Sequence, residues 1–466
     1  MTIWTPSIAD RSGPRYLAIA DAIGEAIAGG EIEAAAKLPT HRDLAYRLGV
    51  TVGTVSRAYA EAERRGLVAG EVGRGTFARG GAEAIAGIDT GLVVPETTAP
   101  GMIDLGLNVP AWNVAAPHLG RTLAELARVN DLSPLIRYEP DAGLPSHRAA
   151  GARWVASVGL EVPPERMVVT CGAQHGMLVA LMAVARPGDV LLTEELTFSG
   201  MTALASQLHL RLHGVALDRE GIDPDALDAA CRTTGGKVLY CIPTHHNPTT
   251  ATMSDERRRA IVAVARRHGV TIIEDDIYGF FPKERPIPLA ALAPESVFFV
   301  TSTSKCMAPG FRTGYAVPPP HMFERVAANI RLTTWFAPSL GAEIAARWIM
   351  DGTAERLLAW QRKELAERHA LAQRILPHGL TVSQPSSLQL WLTLPDPWRG
   401  EAFAAELRQR GVIAMPAETF AVGRGQPPHA MRLCLCGVAE RRQVERGLEI
   451  VAETLAGTPR ANRTVI

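Results

Sequence analysis

The chain has 466 residues, of which 47% are hydrophobic and 21% charged, a composition that supports buried cores over most of its length and excludes an extensively disordered protein. Its 48 basic and 48 acidic side chains cancel to a formal charge of zero, which excludes a general polyelectrolyte binder and requires any nucleic-acid contact to be local. At roughly 100–200 residues per domain, this length calls for two or more domains.

The N-terminus, Met1-Thr2-Ile3-Trp4-Thr5-Pro6, has no basic region followed by an apolar run, so no signal peptide is expected. No stretch approaches the roughly 18 apolar residues of a membrane span. The six cysteines are scattered without a C-x-x-C pair, so buried thiols in a reducing cytoplasm are expected, and no metal site. Cys434 and Cys436 lie two apart in an apolar run and are expected on one face of a strand.

Between residues 14 and 29, Leu17, Ile19, Ala20, Ile23, Ala26 and Ile27 recur at helical spacing before Gly29-Gly30. Thr40 is a suitable N-cap for a second helix with Leu44, Ala45 and Leu48 inward, closed by Gly49. Thr51 caps a third helix, with Val52, Val55 and Tyr59 expected inward. Leu67-Val68 and Thr76-Phe77 then flank a glycine-rich turn, the pattern of a two-stranded hairpin. Three helices and a hairpin make a winged helix-turn-helix over residues 1–78. The short polar side chains Thr51, Gly53 and Thr54 suit a helix whose first turn enters a major groove. Arg42, Arg47, Arg57, Arg64, Arg65 and Arg74 face Asp43, Glu61, Glu63 and Glu71 over residues 40–78, a small basic excess.

Residues 79–100 mix glycine, alanine, threonine and proline without periodicity and read as a linker. From 101 to 466 strand-like runs (167–170, 190–193, 238–242, 271–273, 297–300) alternate with helical stretches, which implies a mainly parallel sheet with ligands at the strand ends. After the last of these runs comes Thr301-Ser302-Thr303-Ser304-Lys305, with Arg312 seven residues beyond the lysine. Such a lysine can form a Schiff base while hydroxyls and a guanidinium hold a phosphate. Ile272-Ile273-Glu274-Asp275-Asp276-Ile277-Tyr278 delivers an acid to a strand end, where a carboxylate could keep a pyridine nitrogen protonated; Asp275 fits that role. Tyr278 and Asn247, the latter in His245-His246-Asn247-Pro248-Thr249, could reach the ring's phenolic oxygen. Thr170-Cys171-Gly172-Ala173-Gln174 is a strand-to-helix turn whose N–H groups suit a phosphate. Phe198 offers a ring face, and Arg432, entering an apolar strand, suits capture of a carboxylate. The neighbouring pair His245 and His246 is assigned no role.

Two resemblances follow from these motifs. Leu38-Pro39-Thr40-His41-Arg42-Asp43-Leu44-Ala45, Leu48-Gly49-Val50-Thr51, Thr54-Val55, Ala58-Tyr59 and Gly73-Arg74-Gly75-Thr76-Phe77 resemble the GntR family of bacterial regulators over about residues 12–78. That resemblance implies double-stranded DNA as a partner, with Arg42 on phosphate or base, Thr51 and Thr54 on phosphate, and Gly75 letting the wing approach the minor groove. Val52 stands where that family often has arginine, which Arg57 replaces in part. The large region resembles fold type I enzymes of the class I aminotransferase family over about residues 101–457. It implies an α/β fold with a mainly parallel central sheet, a smaller C-terminal α+β subdomain, and pyridoxal 5'-phosphate as cofactor.

Carried onto this sequence, the aminotransferase resemblance implies Lys305 as the Schiff-base lysine and Asp275 as the pyridinium partner, with Asn247 and Tyr278 on the phenolic oxygen. Ala173, Gln174, Ser302, Ser304 and Arg312 would bind phosphate, Phe198 would stack, and Arg432 would hold a ligand carboxylate. Tyr138 matches the tyrosine that dimers of that family lend to the neighbouring subunit's phosphate. Thr250 stands where glycine is usual, and is accommodated if its backbone needs no positive φ. The order of the two regions resembles the MocR subfamily of regulators, which implies a homodimer that senses an amino acid, an amine or the cofactor through an aldimine at Lys305. An active aminotransferase with an appended DNA-binding domain remains the alternative.

Overall fold

The computed structural model describes residues 4–5, 14–28, 31–32, 36–64, 67–71, 75–78, 101–110, 114–423 and 425–459. It divides into two compact units, Met1–Thr90 and Gly91–Ile466. The expected linker at 79–100, the hairpin tip at 72–74 and Gly29-Gly30 lie outside the described residues.

In the first unit three helices, α1 (Arg15–Ala28), α2 (His41–Leu48) and α3 (Val52–Arg64), precede the antiparallel pair β1 (Val68–Glu71) and β2 (Gly75–Ala78). Ile19, Ile23, Leu44, Val55 and Tyr59 form its core. Thr40 has the extended backbone of an N-cap, and its hydroxyl accepts from Asp43 N at 3.2 Å. Gly49 ends α2 at φ 63°, in the left-handed region that costs glycine nothing. Val52 departs from expectation. It is 45% exposed, because residues 51–53 are all exposed and the buried stripe of α3 starts one turn later, at Val55.

The second unit begins with β3 (Ile103–Asp104). Its central sheet collects β4 (Val168–Thr170), β5 (Val190–Glu194) and β6 (Arg211–Val215), passes the small hairpin β7 (Leu217–Asp218) and β8 (Gly221–Ile222), and continues with β9 (Val238–Cys241), β10 (Thr271–Asp275), β11 (Val297–Ser302) and β12 (Gly314–Val317). The order is β4-β12-β11-β10-β9-β5-β6. All pairings are parallel except those of β12 with its two neighbours. Helices cover both faces, which explains why β9, β10 and β11 read as continuous apolar runs rather than as alternating ones.

A smaller layer follows. β13 (Thr381–Ser383) and β14 (Gln389–Thr393) join β17 (Ala430–Cys434) and β16 (Met415–Pro416) in an antiparallel sheet, while β15 (Val412–Ile413) pairs in parallel with β3. Leu390, Leu392, Phe403, Leu433, Val444 and Leu448 form a separate apolar core there. Strand β17 stops at Cys434, so Cys436 lies just past its end rather than within it; both thiols are buried and unpaired.

Candidate functional site

The carboxyl ends of β4, β10 and β11 deliver the side chains that the sequence singles out. Strand alternation separates three consecutive acids. Glu274 accepts from Leu289 N and Ala290 N at 3.0 and 2.9 Å, with Arg258 at 3.6 Å. Asp276 binds Arg285 at 2.6 Å. Asp275 alone meets Tyr240, whose hydroxyl donates to Oδ2 at 2.7 Å. Burial raises the Asp275 carboxyl to about 6, against the lowering effect of the Tyr240 bond. Its other oxygen, Oδ1, is buried without a partner.

Lys305 follows β11 in a turn, and its amine donates to Asn108 O. Burial lowers the lysine pKa, while Asp275 favours and Arg432 disfavours its charge. Tyr278 is buried, and its hydroxyl accepts from Asn108 Nδ2 at 3.0 Å. Arg432 in β17 lies over the Phe420 ring at 4.8 Å and donates through Nη1 to Asn247 Oδ1 (2.8 Å) and through Nη2 to Gly106 O (2.5 Å). Its Nε is buried and has no acceptor. The carbonyl oxygen of Asn247 is therefore committed to Arg432, which leaves its amide nitrogen as the group able to donate to another ligand atom.

The third cluster surrounds the N-terminus of the Gly172–Val184 helix, where no side chain caps the first N–H groups, those of Ala173 and Gln174 included. Gly172 has φ 78°, and a Cβ there would lie 2.8 Å from Arg312 Nη2. Arg312 itself is left-handed at φ 48° and donates to Cys171 O at 3.2 Å. Ser302 is buried at the end of β11, and its hydroxyl accepts from Ser304 N at 3.3 Å. Phe198 immediately precedes the Ser199–Gln207 helix, half-buried.

Thr250 fails the condition under which it was to be accommodated. Its φ is 66°, an uncommon and strained conformation for a β-branched residue. Its side chain is fully buried, and its N–H donates to His246 O at 2.7 Å. Tyr138 is 78% exposed, beside Trp335 and Phe336 with ring centroids 5.6 and 6.1 Å away.

Sequence reasoning missed four residues that orient these groups. For Tyr240 a local signal existed, a hydroxyl inside an apolar strand, which needs a buried partner. Asn108 bridges Tyr278 to Gln389, whose Oε1 accepts at 2.9 Å. His175 accepts from Cys171 N at 3.0 Å and lies 2.7 Å from Thr333 Oγ1, and burial lowers its pKa to about 4, so a neutral ring holds the turn before Ala173. Glu194 accepts from Ile242 N at 2.6 Å and from Thr197 at 3.0 Å, tying the loop that carries Phe198 to the strand end that leads to Asn247. Burial pushes this carboxyl up to about 7.

In the first unit, the Thr51 hydroxyl accepts from Thr54 N at 3.1 Å and lies 2.9 Å from Thr54 Oγ1, which fixes the first turn of α3. Tyr59 donates to Pro39 O at 2.7 Å, and its ring meets His41 at 4.9 Å, locking α2 against α3. Arg42, Gly53, Arg57 and Gly75 are exposed. Gly75 has φ 123° with Lys37 packed under it.

The donor set fits pyridoxal phosphate: a buried lysine amine, an unpartnered carboxylate oxygen for a ring N–H, and first-turn amides with an arginine for a phosphate. A family model described as bacterial regulatory proteins, gntR family, matches residues 15–78, and one described as aminotransferase class I and II matches residues 100–451. The HTH-type transcriptional regulator YdeF of Bacillus subtilis is 29% identical over 97% of this chain and 96% of its own, and YdcR of Escherichia coli, also an HTH-type regulator, is 28% identical over 88% and 92%. Among solved structures, an archaeal alanine:glyoxylate aminotransferase is 25% identical with a TM-score of 0.71, covering 76% of this chain and 91% of its own. The Thermus thermophilus α-aminoadipate aminotransferase LysN, complexed with N-(5'-phosphopyridoxyl)-L-leucine, shares the fold at 23% identity with a TM-score of 0.68, over 77% of this chain and 93% of its own. The chain therefore belongs to the class I and II aminotransferase family, with a GntR-type helix-turn-helix domain in front, the arrangement of the MocR subfamily of transcription regulators.

Proposed function

We propose that this regulator binds pyridoxal phosphate at Lys305 and senses a small amine or amino acid there, changing its hold on double-stranded DNA. One observation carries the reading: Asp275 Oδ1 and Arg432 Nε are buried without partners, and both side chains act electrostatically on Lys305. Bound cofactor supplies an aldehyde that joins to amines and a ring that accepts electrons. Lys305 offers the attaching amine, made easier to deprotonate by burial. Asp275 keeps the ring nitrogen charged, and the Tyr240 bond keeps Asp275 ionised against its burial. Tyr278 and the Asn247 amide hold the phenolic oxygen, and Phe198 covers the ring. The amides of Ala173 and Gln174 with Ser302, Ser304 and Arg312 hold the phosphate. The Nε and Nη2 edge of Arg432 presents two donors to a ligand carboxylate.

The exposed Tyr138 supports a homodimer in which it reaches the partner's phosphate. On the DNA side, Arg42, Thr51, Gly53, Thr54, Arg57 and Gly75 form the contact set; the exposed first turn of α3 supports insertion into a major groove. The test is to titrate the cofactor-loaded protein with amino acids and simple amines, recording the absorption spectrum and the affinity for DNA selected from a random pool by the protein itself. A ligand that alters both supports sensing. Rapid multiple turnover with an oxo-acid acceptor and unchanged DNA affinity refutes it in favour of an aminotransferase.

A further inference from the structure

The large unit opens with a segment that grips the ligand-binding side chains. In β3, Ile103 N donates to Gly411 O and Leu105 N to Ile413 O, each at 2.8 Å, anchoring the chain on the smaller layer. Asp104 Oδ1 then accepts from Gly106 N and Leu107 N at 2.8 and 3.0 Å, which turns the backbone inward. Gly106 O accepts from Arg432 Nη2 at 2.5 Å and from the Cys434 thiol at 3.5 Å, while Leu105 O accepts from Cys434 N at 2.6 Å. Asn108 donates to Tyr278 and Gln389, its carbonyl accepts from Lys305, and its Oδ1 accepts from the Cys436 thiol at 3.7 Å. Residues 104–108 therefore touch Arg432, Tyr278 and Lys305 within five positions. In sequence the same stretch continues N-terminally into residues 79–100 and the helix-turn-helix domain.

We propose that residues 104–108 are the element through which ligand capture at Arg432 is passed toward the DNA-binding domain, with Asn108 as the positioning residue for Tyr278. The inference rests on Arg432 as the holder of a ligand carboxylate. A carboxylate is a stronger acceptor for a guanidinium than an amide carbonyl. Its arrival at the unpartnered Nε and the adjacent Nη2 draws Arg432 away from Gly106 O and loosens the turn that Asp104 closes. A ligand shifts DNA affinity only if it distinguishes two arrangements of the protein. The 104–108 turn supplies the two arrangements, bonded to Arg432 or released from it, and it lies on the covalent route between the domains.

The experiment uses the full-length, cofactor-loaded protein with formate, acetate and maleate, carboxylates without an amine. Amide hydrogen exchange is read in peptides covering residues 103–109, alongside the cofactor absorption band and the affinity for pool-selected DNA. Exchange in that segment is expected to rise by about fivefold or more, the low end of site-to-site coupling, for each carboxylate that perturbs the band. Asn108→Asp, which loses both side-chain donations, should raise exchange there without any carboxylate, move the pH midpoint of the band through Tyr278, and blunt the carboxylate effect on DNA affinity. A carboxylate that perturbs the wild-type band through Arg432 yet leaves exchange at 103–109 unchanged overturns the proposal and spares the assignment of Arg432. A band that no carboxylate perturbs, or one perturbed equally in Arg432→Met, removes the assignment of Arg432 and the proposal with it. The wild-type exchange measurement decides the matter even if Asn108→Asp fails to fold.

Discussion

Replacing Asp275 by Asn should stabilise the protein without its cofactor and weaken its hold on the cofactor. Asp275 is 1% exposed, and burial raises its carboxyl from 3.8 to about 6. A carboxyl whose pKa is raised on folding costs stability only where it must ionise: the penalty is absent below the unfolded value, grows as pH rises between the two values, and is complete above the folded one. The rise from 3.8 to about 6 is worth about 3 kcal/mol. The carboxamide has no proton to lose and can still accept the Tyr240 bond, so any fixed difference in packing or hydrogen bonding is the same at every pH. Urea unfolding of cofactor-free Asp275→Asn and wild type should therefore show the variant gaining about 3 kcal/mol relative to wild type between about pH 4 and pH 8. With pyridoxal phosphate present, that gain is offset. Leaving a buried charge unpaired costs about 3–5 kcal/mol, so the affinity for cofactor should fall by at least about a hundredfold. A stability difference that does not change with pH, or an unchanged cofactor affinity, refutes the burial argument or the choice of carboxylate, respectively.

Tyr240→Phe removes a hydrogen bond to a charged acceptor, about 1.5–3 kcal/mol, which lifts Asp275 to neutrality or above; cofactor affinity should fall near about pH 7 and recover toward pH 9, and an equal loss at both refutes the electrostatic role. Arg432→Lys keeps the charge but loses the two-donor edge, so affinity for amino acids should drop by about 1.5–3 kcal/mol relative to carboxylate-free amines, measured by spectral titration. Equal losses for both ligand classes contradict the carboxylate role. Arg42→Ala should weaken DNA binding by about 1–3 kcal/mol and lower the slope of log affinity against log salt by about one. An unchanged slope means that Arg42 does not touch phosphate.

The helix-turn-helix domain was legible because each of its boundaries carries a chemical signal: Thr40 and Gly49 around α2, Thr51 before α3, and glycines at the wing. Val52 was misread because helical periodicity reports direction around an axis and not how far along it the packing partner extends; the apolar stripe pointed the right way one turn too early. The central strands were legible as uninterrupted apolar runs, which only a sheet covered on both faces permits. The smaller layer was harder to read. Its strand β16 is two residues long and contains Pro416, and its membership depends on pairing with β17 from a later part of the chain.

The cofactor site shows the same division between local and long-range information. Strand period alone indicates that Glu274 and Asp276 face opposite to Asp275, but it does not say which face carries the site. Two cations, Arg258 and Arg285, decide it by taking Glu274 and Asp276, which leaves Asp275 with a hydroxyl in place of a cation. That hydroxyl comes from the neighbouring strand, where Tyr240 stands in register with Ile273, two positions before Asp275 and on the same face. Asn108 had no such signal: its partners Tyr278 and Gln389 are 170 and 281 residues away. A residue whose role comes from bridging two remote elements has no local pattern to betray it. In this chain those bridging residues, Asn108 and Glu194, hold Tyr278 and the strand end that leads to Asn247, so the motifs that suggest a cofactor site are local in sequence while the bonds that arrange them are not.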